Sequence, residues 1–236
     1  MTPMLKRRIE QFVDRFLTPY YESASKSKFV HDPLWGTIEV TDYEQCLLDT
    51  PLLQRLRQIH QTGNVFATYP SATHTRFEHT LGVMLLAGRI ADTLLRRYPD
   101  WHAVVSPASW QRVRMAALCH DVGHSAFSHT SEEVFSMCRD LKELTGTGGA
   151  FEGKGGGEVM SYLVVTSKPF RRFYDKVESA HPALAVGVDD FAPLIIGRAS
   201  SPEKQFEADI ISGAFDADKL DYFPRDGRAA GIEMAL

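Results

Sequence analysis

At 236 residues, with 44% hydrophobic and 24% charged side chains, the chain has an ordinary globular composition and the length of one large domain or a small pair. A formal charge of −4 argues against a general nucleic-acid surface, and no stretch is long and apolar enough to span a membrane. Cys46, Cys119 and Cys138 are odd in number and lack paired spacing, which speaks for a reducing compartment, the cytoplasm by default with the nucleus left open. Lys6, Arg7 and Arg8 are followed by no apolar run, so the start does not read as a signal peptide.

Leu5, Ile9, Val13, Phe16 and Leu17 recur at helical steps and predict an amphipathic helix from Pro3 to about Glu22. A polar connector follows to Lys28. Asp32-Pro33 starts a turn, and Gly36 to Val40 reads as a short strand. Asp49-Thr50-Pro51 opens a helix that turns Leu52, Leu53, Leu56 and Ile59 inward. Gly63 to Ser71 is a connector. The next helix runs from about Thr75 to Tyr98, with an apolar stripe through Phe77, Leu81, Met84, Leu85, Gly88, Ala91, Leu95 and Tyr98.

Ser106-Pro107 caps a helix that passes through Val113 and Met115 to His120-Asp121 and ends at Gly123. Thr130 to Glu133 forms a capping box for a helix through Val134, Met137, Cys138 and Leu141. Residues 145–157 are rich in glycine and predict a mobile loop. Apolar order resumes from Glu158 to Val165. Phe170 to Val177 is a short basic helix, and Ser201-Pro202 caps a helix leading into Asp216. Helices dominate and continuous β pattern is scarce, so the expected fold class is all-α, a helical bundle.

The chemistry concentrates where the apolar helix ends: His120, Asp121, His124 and His129 fall within one short run. Imidazole nitrogen and carboxylate oxygen in one small volume suit Fe, Mn, Zn or Ni, and a helix C-terminus favours a cation. His79 upstream and Asp216, Asp218 and Asp221 downstream are the other candidates; helix capping or surface charge would equally explain the aspartates.

Arg76-Phe-Glu-His79, then His120-Asp-x-Gly-His-x-x-Phe-Ser-His129, then Asp216-x-Asp-Lys-x-Asp-Tyr-x-x-Arg-Asp226 together resemble the HD superfamily of metal-dependent phosphohydrolases. Within it they look like the deoxynucleoside triphosphate triphosphohydrolase branch, which includes the mammalian SAM-and-HD-domain enzyme. The likeness covers about Asp32 to Ile232 and implies an HD-domain helical bundle over 31–236, preceded by a helix and connector over 1–30. It implies that His79, His120, Asp121 and Asp218 hold a divalent transition metal, with Mg accompanying the nucleotide. Arg76, Lys219 and Tyr222 would contact the triphosphate, and Gln61 and Asp226 the sugar.

By the same resemblance His129 is the general acid near the bond to be cleaved and His124 a phosphate-side histidine. Hydrogen bonding to the metal ligands is the alternative role for both. Asp49, Gln54 and Arg57 would recognise a guanine nucleotide effector, although a solvated helix face with a structural arginine explains them too. The expected assembly is a homo-oligomer.

Two departures stand out. The family's His-Glu pair after the His-Asp block is replaced by Glu152-Gly-Lys-Gly-Gly-Gly-Glu158, with no histidine between His129 and His181. The chain also stops at Leu236, where the family continues with helices and a basic segment, so the resemblance implies a short member or a truncated product. The primary expectation is a dNTP-hydrolysing enzyme that works slowly or not at all in this form. The alternatives are a nucleotide- or metal-binding assembly module and an HD phosphodiesterase for another phosphoester.

Overall fold

Thr2 accepts the Leu5 amide and Pro3 takes the first turn, so the N-terminal helix starts cleanly and runs Pro3–Leu17 (α1). The computed structural model describes residues 1–18, 26–98, 100, 104–125, 135 and 137–232. His129 and the capping box at Thr130 to Glu133 lie outside the described residues. The stripe of Leu5, Ile9, Val13 and Leu17 is buried, as its spacing requires.

Two strands form the described β structure. Lys28–Asp32 (β1) pairs antiparallel with Gly36–Val40 (β2), Lys28 opposite Val40 and Asp32 opposite Gly36. Lys28 is therefore strand, not connector. The sequence expectation recognised β2 but not β1, whose outward residues Lys28 and Phe29 are exposed and give no alternating apolar signal.

Asp42–Leu48 (α2) was also illegible by periodicity, because Tyr43, Glu44, Cys46, Leu47 and Leu48 bury most of its surface. The helix capped by Thr50 begins at Pro51 as expected, but as α-helix it extends only over Pro51–Gln54 (α3). It then tightens into a 3-10 turn at Arg55–Gln58. Leu52, Leu53, Leu56 and Ile59 all point inward regardless.

Arg76–Arg97 (α4) and Pro107–Cys119 (α5) pack along each other and form the centre of the bundle. The stripe on α4 holds up to Ala91, whereas Tyr98 is exposed. The later helices are Arg139–Thr145 (α6), Gly156–Val165 (α7), Lys168–Ala180 (α8), Val188–Ile195 (α9), Gln205–Ser212 (α10) and Ala217–Ala229 (α11). Helix α9 contains Pro193, which in sequence reads as a breaker. The glycine-rich segment passes through turns from Gly146 and enters α7 at Gly156. Helix α11 continues through Pro224, so Lys219, Tyr222 and Asp226 share one helix.

α5 is fixed to α2 by a buried pair: Arg114 Nε and Nη2 donate to Glu44 at 2.6 and 2.7 Å. α11 lies against α4, and α9 and α10 close over α5. The result brings the first turn of α4, the C-terminus of α5 and the first turn of α11 to one point.

Candidate metal centre

Each of these helix ends delivers one motif block. Thr75 caps α4 while Glu78 reaches back to its amide at 2.8 Å, which fixes Arg76 and His79 in the first turn. His120 is the C-cap of α5. Asp216 caps α11 by accepting the Lys219 amide at 2.9 Å, so Asp218 falls in the first turn. Of the three downstream aspartates, Asp216 is thus the cap that its sequence position allowed.

His79, His120 and Asp218 place ligand atoms within 4.8 Å of one another. Asp121 adjoins them: its oxygens are 3.8 Å from His79 Nε2 and 3.6 Å from His120 Nε2. The orientation of the two imidazoles is determined by what lies behind them. His79 Nδ1 is 2.8 Å from Asp221 Oδ2, and His120 Nδ1 is 2.6 Å from the carbonyl of Ala117. A carboxylate and a carbonyl only accept, so in the neutral rings Nδ1 carries the proton and Nε2 keeps its lone pair.

Both Nε2 atoms are buried and make no hydrogen bond of acceptable geometry among the described residues, although Asp218 Oδ1 lies 2.8 Å from that of His79. Two inward lone pairs beside two carboxylates fit a divalent metal. The chemistry a metal would supply there, held by His79, His120, Asp121 and Asp218, is polarisation of a phosphoryl oxygen and acidification of water.

The electrostatics agree with this donor set. Burial disfavours a charged His79, yet the carboxylates of Asp218 and Asp221 push it up to about 10, and the field that draws a proton there also draws a metal cation. Burial works against ionisation of Asp121 as well, but the Arg76 guanidinium, at 2.5 Å, holds it well below the usual carboxylate range. Asp221 is likewise buried, and Arg225 and His79 bring it down to about 2.

Sequence reasoning missed the support behind His79. Asp221 accepts from His79, from Arg225 Nε at 2.7 Å and Nη2 at 2.8 Å, and from Trp35 Nε1 at 2.5 Å. Arg225 also donates to Asp32 Oδ2 at 2.9 Å, and Asp32 accepts the Leu34 and Trp35 amides of the hairpin turn. The small hairpin therefore braces His79. The network lies directly against α4 because position 82 is glycine: a Cβ there would stand 1.8 Å from Asp221 Oδ1.

A second support holds the His-Asp turn. Arg55 donates to the carbonyls of His124, at 2.8 Å, and Val122, and Phe12 of α1 covers its guanidinium. Gly123 lets the turn touch α7, where its amide donates to Ser161 Oγ at 2.9 Å; a Cβ at 123 would meet the Ser161 backbone at 2.2 Å.

The site opens into a cavity of about 610 Å³. His120, Asp121 and Asp218 line it, and so do the residues expected to meet substrate: Gln61, Arg76, His124, Lys219, Tyr222 and Asp226. Several of them also have partners within the fold. Arg76 is paired with Asp121, and Lys219 Nζ with Asp216 at 2.6 Å. His124 Nε2 is 3.2 Å from Asp121 Oδ1, and Asp226 is 2.7 Å from His74 Nε2.

Asp49, Gln54 and Arg57 do not line this cavity. Asp49 pairs with Lys28 at 3.1 Å, Gln54 accepts from Arg57 at 2.8 Å, and Arg57 stacks on Phe77 at 3.7 Å.

A cluster of two imidazoles and flanking aspartates that could hold a metal, gathered at three helix ends of a helical bundle, defines a class of protein, and residues 76–222 match the HD domain. The chain belongs to the HD-domain family. It is 31% identical over 217 residues to the Deoxynucleoside triphosphate triphosphohydrolase SAMHD1 homolog of Dictyostelium discoideum, covering 89% of this chain and 38% of that protein. With the Deoxynucleoside triphosphate triphosphohydrolase SAMHD1 of Bos taurus it shares 34% identity over 220 residues, 89% of this chain and 36% of that one. The chain thus spans well under half the length of these relatives. The crystal structure of a hypothetical protein from Aquifex aeolicus superposes with a TM-score of 0.68 at 27% identity, covering 89% of this chain and 48% of that one. Among the described residues no helix is long and apolar enough to cross a membrane.

Proposed function

We propose that this chain is the catalytic core of a metal-dependent phosphohydrolase that cleaves deoxynucleoside triphosphates to deoxynucleoside and tripolyphosphate. The observation that carries this reading is the pair of buried Nε2 lone pairs of His79 and His120, aimed with Asp218 at one point beneath a cavity large enough for a nucleotide. Similarity to two deoxynucleoside triphosphate triphosphohydrolases over 89% of the chain supports this choice of substrate class.

Arg76, Lys219 and Tyr222 bind the triphosphate, and Gln61 and Asp226 the sugar. His124 orients Asp121 from the phosphate side, and His129 is the proton donor to the leaving group. The metal is Fe, Mn, Zn or Ni, with Mg on the nucleotide. Asp49, Gln54 and Arg57 form a guanine nucleotide effector site on a separate surface, serving a cytoplasmic homo-oligomer.

The test is product analysis. Purified protein with Mn²⁺ and a panel of dNTPs should release tripolyphosphate slowly, because the family's His-Glu pair is replaced by the Gly153 to Gly157 run and one placed proton donor or acceptor is worth ~10²–10⁴-fold in rate. Release of orthophosphate or pyrophosphate alone would contradict the reaction. Turnover of about 1–10³ s⁻¹, ordinary for an enzyme, would contradict the expected slowness.

A further inference from the structure

A polyphosphate must find positive charge beyond the metal, and most of the charge on the cavity wall is negative. Asp121, Glu158, Asp216, Asp218 and Asp226 all line it. Two lining cations are already committed within the fold, Arg76 to Asp121 at 2.5 Å and Lys219 to Asp216 at 2.6 Å. The third, Lys154, also lines the cavity, and no ion pair to it is found among the described residues.

The turn that carries Lys154 is held by its own hydrogen bonds. Phe151 N–H donates to Leu144 O at 2.8 Å, Gly153 N–H to Thr145 O at 3.2 Å, and Lys154 N–H to Phe151 O at 3.1 Å. Phe151 is buried, with the Arg198 guanidinium over its ring. The Lys154 ammonium lies beside Gly197, just past α9. Immediately after it Gly155 caps α7 and donates its amide to Glu158 Oε2 at 3.1 Å, so the start of that helix is already matched by a carboxylate and Lys154 is the cation this segment brings to the cavity wall.

Resting on the nucleotide reading above, we propose that Lys154 is a phosphate-binding residue of this site, engaging a phosphate of the substrate's triphosphate. It stands in the segment where the resemblance implies a His-Glu pair, and it exchanges acid-base chemistry for charge. The chain then holds its substrate firmly while turning it over slowly.

The experiment titrates inorganic tripolyphosphate and each of the four dNTPs into Mn²⁺-loaded wild type and the variants Lys154→Ala, Lys154→Gln and Lys154→Arg, by calorimetry at several salt concentrations. Losing one charge-assisted contact should weaken tripolyphosphate and dNTP binding about tenfold in Lys154→Ala and Lys154→Gln. The salt dependence should flatten, Lys154→Arg should recover most of the affinity, and metal content should not change. If wild type and Lys154→Gln bind dNTPs equally well, the role of Lys154 is overturned while the substrate reading stands. If wild type binds neither tripolyphosphate nor any dNTP, the substrate reading fails and takes this inference with it.

Discussion

Replacing Asp221 by alanine should cost about 3–5 kcal/mol of folding stability, the range for breaking a buried charge pair from one side, and about 10–100-fold in metal affinity. The carboxylate is fully buried and is the common acceptor for His79 Nδ1, two nitrogens of Arg225 and the indole of Trp35. Its removal leaves the Arg225 guanidinium buried with only Asp32 opposite, and it frees His79 to rotate or change tautomer. Asp221→Asn should fall between, since an amide oxygen can still accept from His79 but offers Arg225 no charge. Urea unfolding of the metal-free protein measures the first effect and competition against a chelator the second. Unchanged metal affinity in Asp221→Ala would show that Asp221 does not set the His79 lone pair.

Arg76→Met should destabilise the metal-free protein by about 3–5 kcal/mol, because Asp121 would be left buried and charged without its counter-ion. In the Mn²⁺-loaded protein the loss should be smaller, since a cation bound beside Asp121 replaces the guanidinium charge and binding to the folded state stabilises it. Thermal unfolding with and without metal separates the two states. The sequence pattern suggests Arg76 as a phosphate contact, and its place on the cavity wall is compatible with that, but the 2.5 Å pair makes it a counter-ion of Asp121 as well. An equal loss in both states would mean that Asp121 does not face the metal.

How much of this was legible in the sequence depended on the kind of signal. His79, His120 and Asp218 could be read because each stands beside a helix boundary with recognisable capping, and because their order matches a known pattern. The bundle could be read because the stripe on α4 and the apolar run of α5 are long. Asp221 was legible only as one of three aspartates, and its pairing with Arg225 was not, because an acid and a base one turn apart on a helix ordinarily form a solvated pair.

The available clue was Gly82, a glycine on the apolar face one turn beyond His79, where only a closely approaching neighbour explains the missing side chain. Asp32 and Trp35 could not be read at all, since their role depends on the hairpin turn reaching α11 across the whole chain. Helix α2 was hidden because burial on most of its faces erases the periodicity on which sequence reading depends.

Elemental analysis of the purified protein tests the metal centre most directly. The protein is isolated as wild type, as His120→Ala, which leaves the Arg76–Asp121 pair intact, and as the double variant His120→Ala, Asp121→Ala, with circular dichroism confirming that each is folded. Wild type should carry a stoichiometric divalent transition metal, the single variant should lose most of it, and the double variant should carry little or none. Equal metal content in all three folded proteins would contradict the assignment of His79, His120, Asp121 and Asp218 as the site.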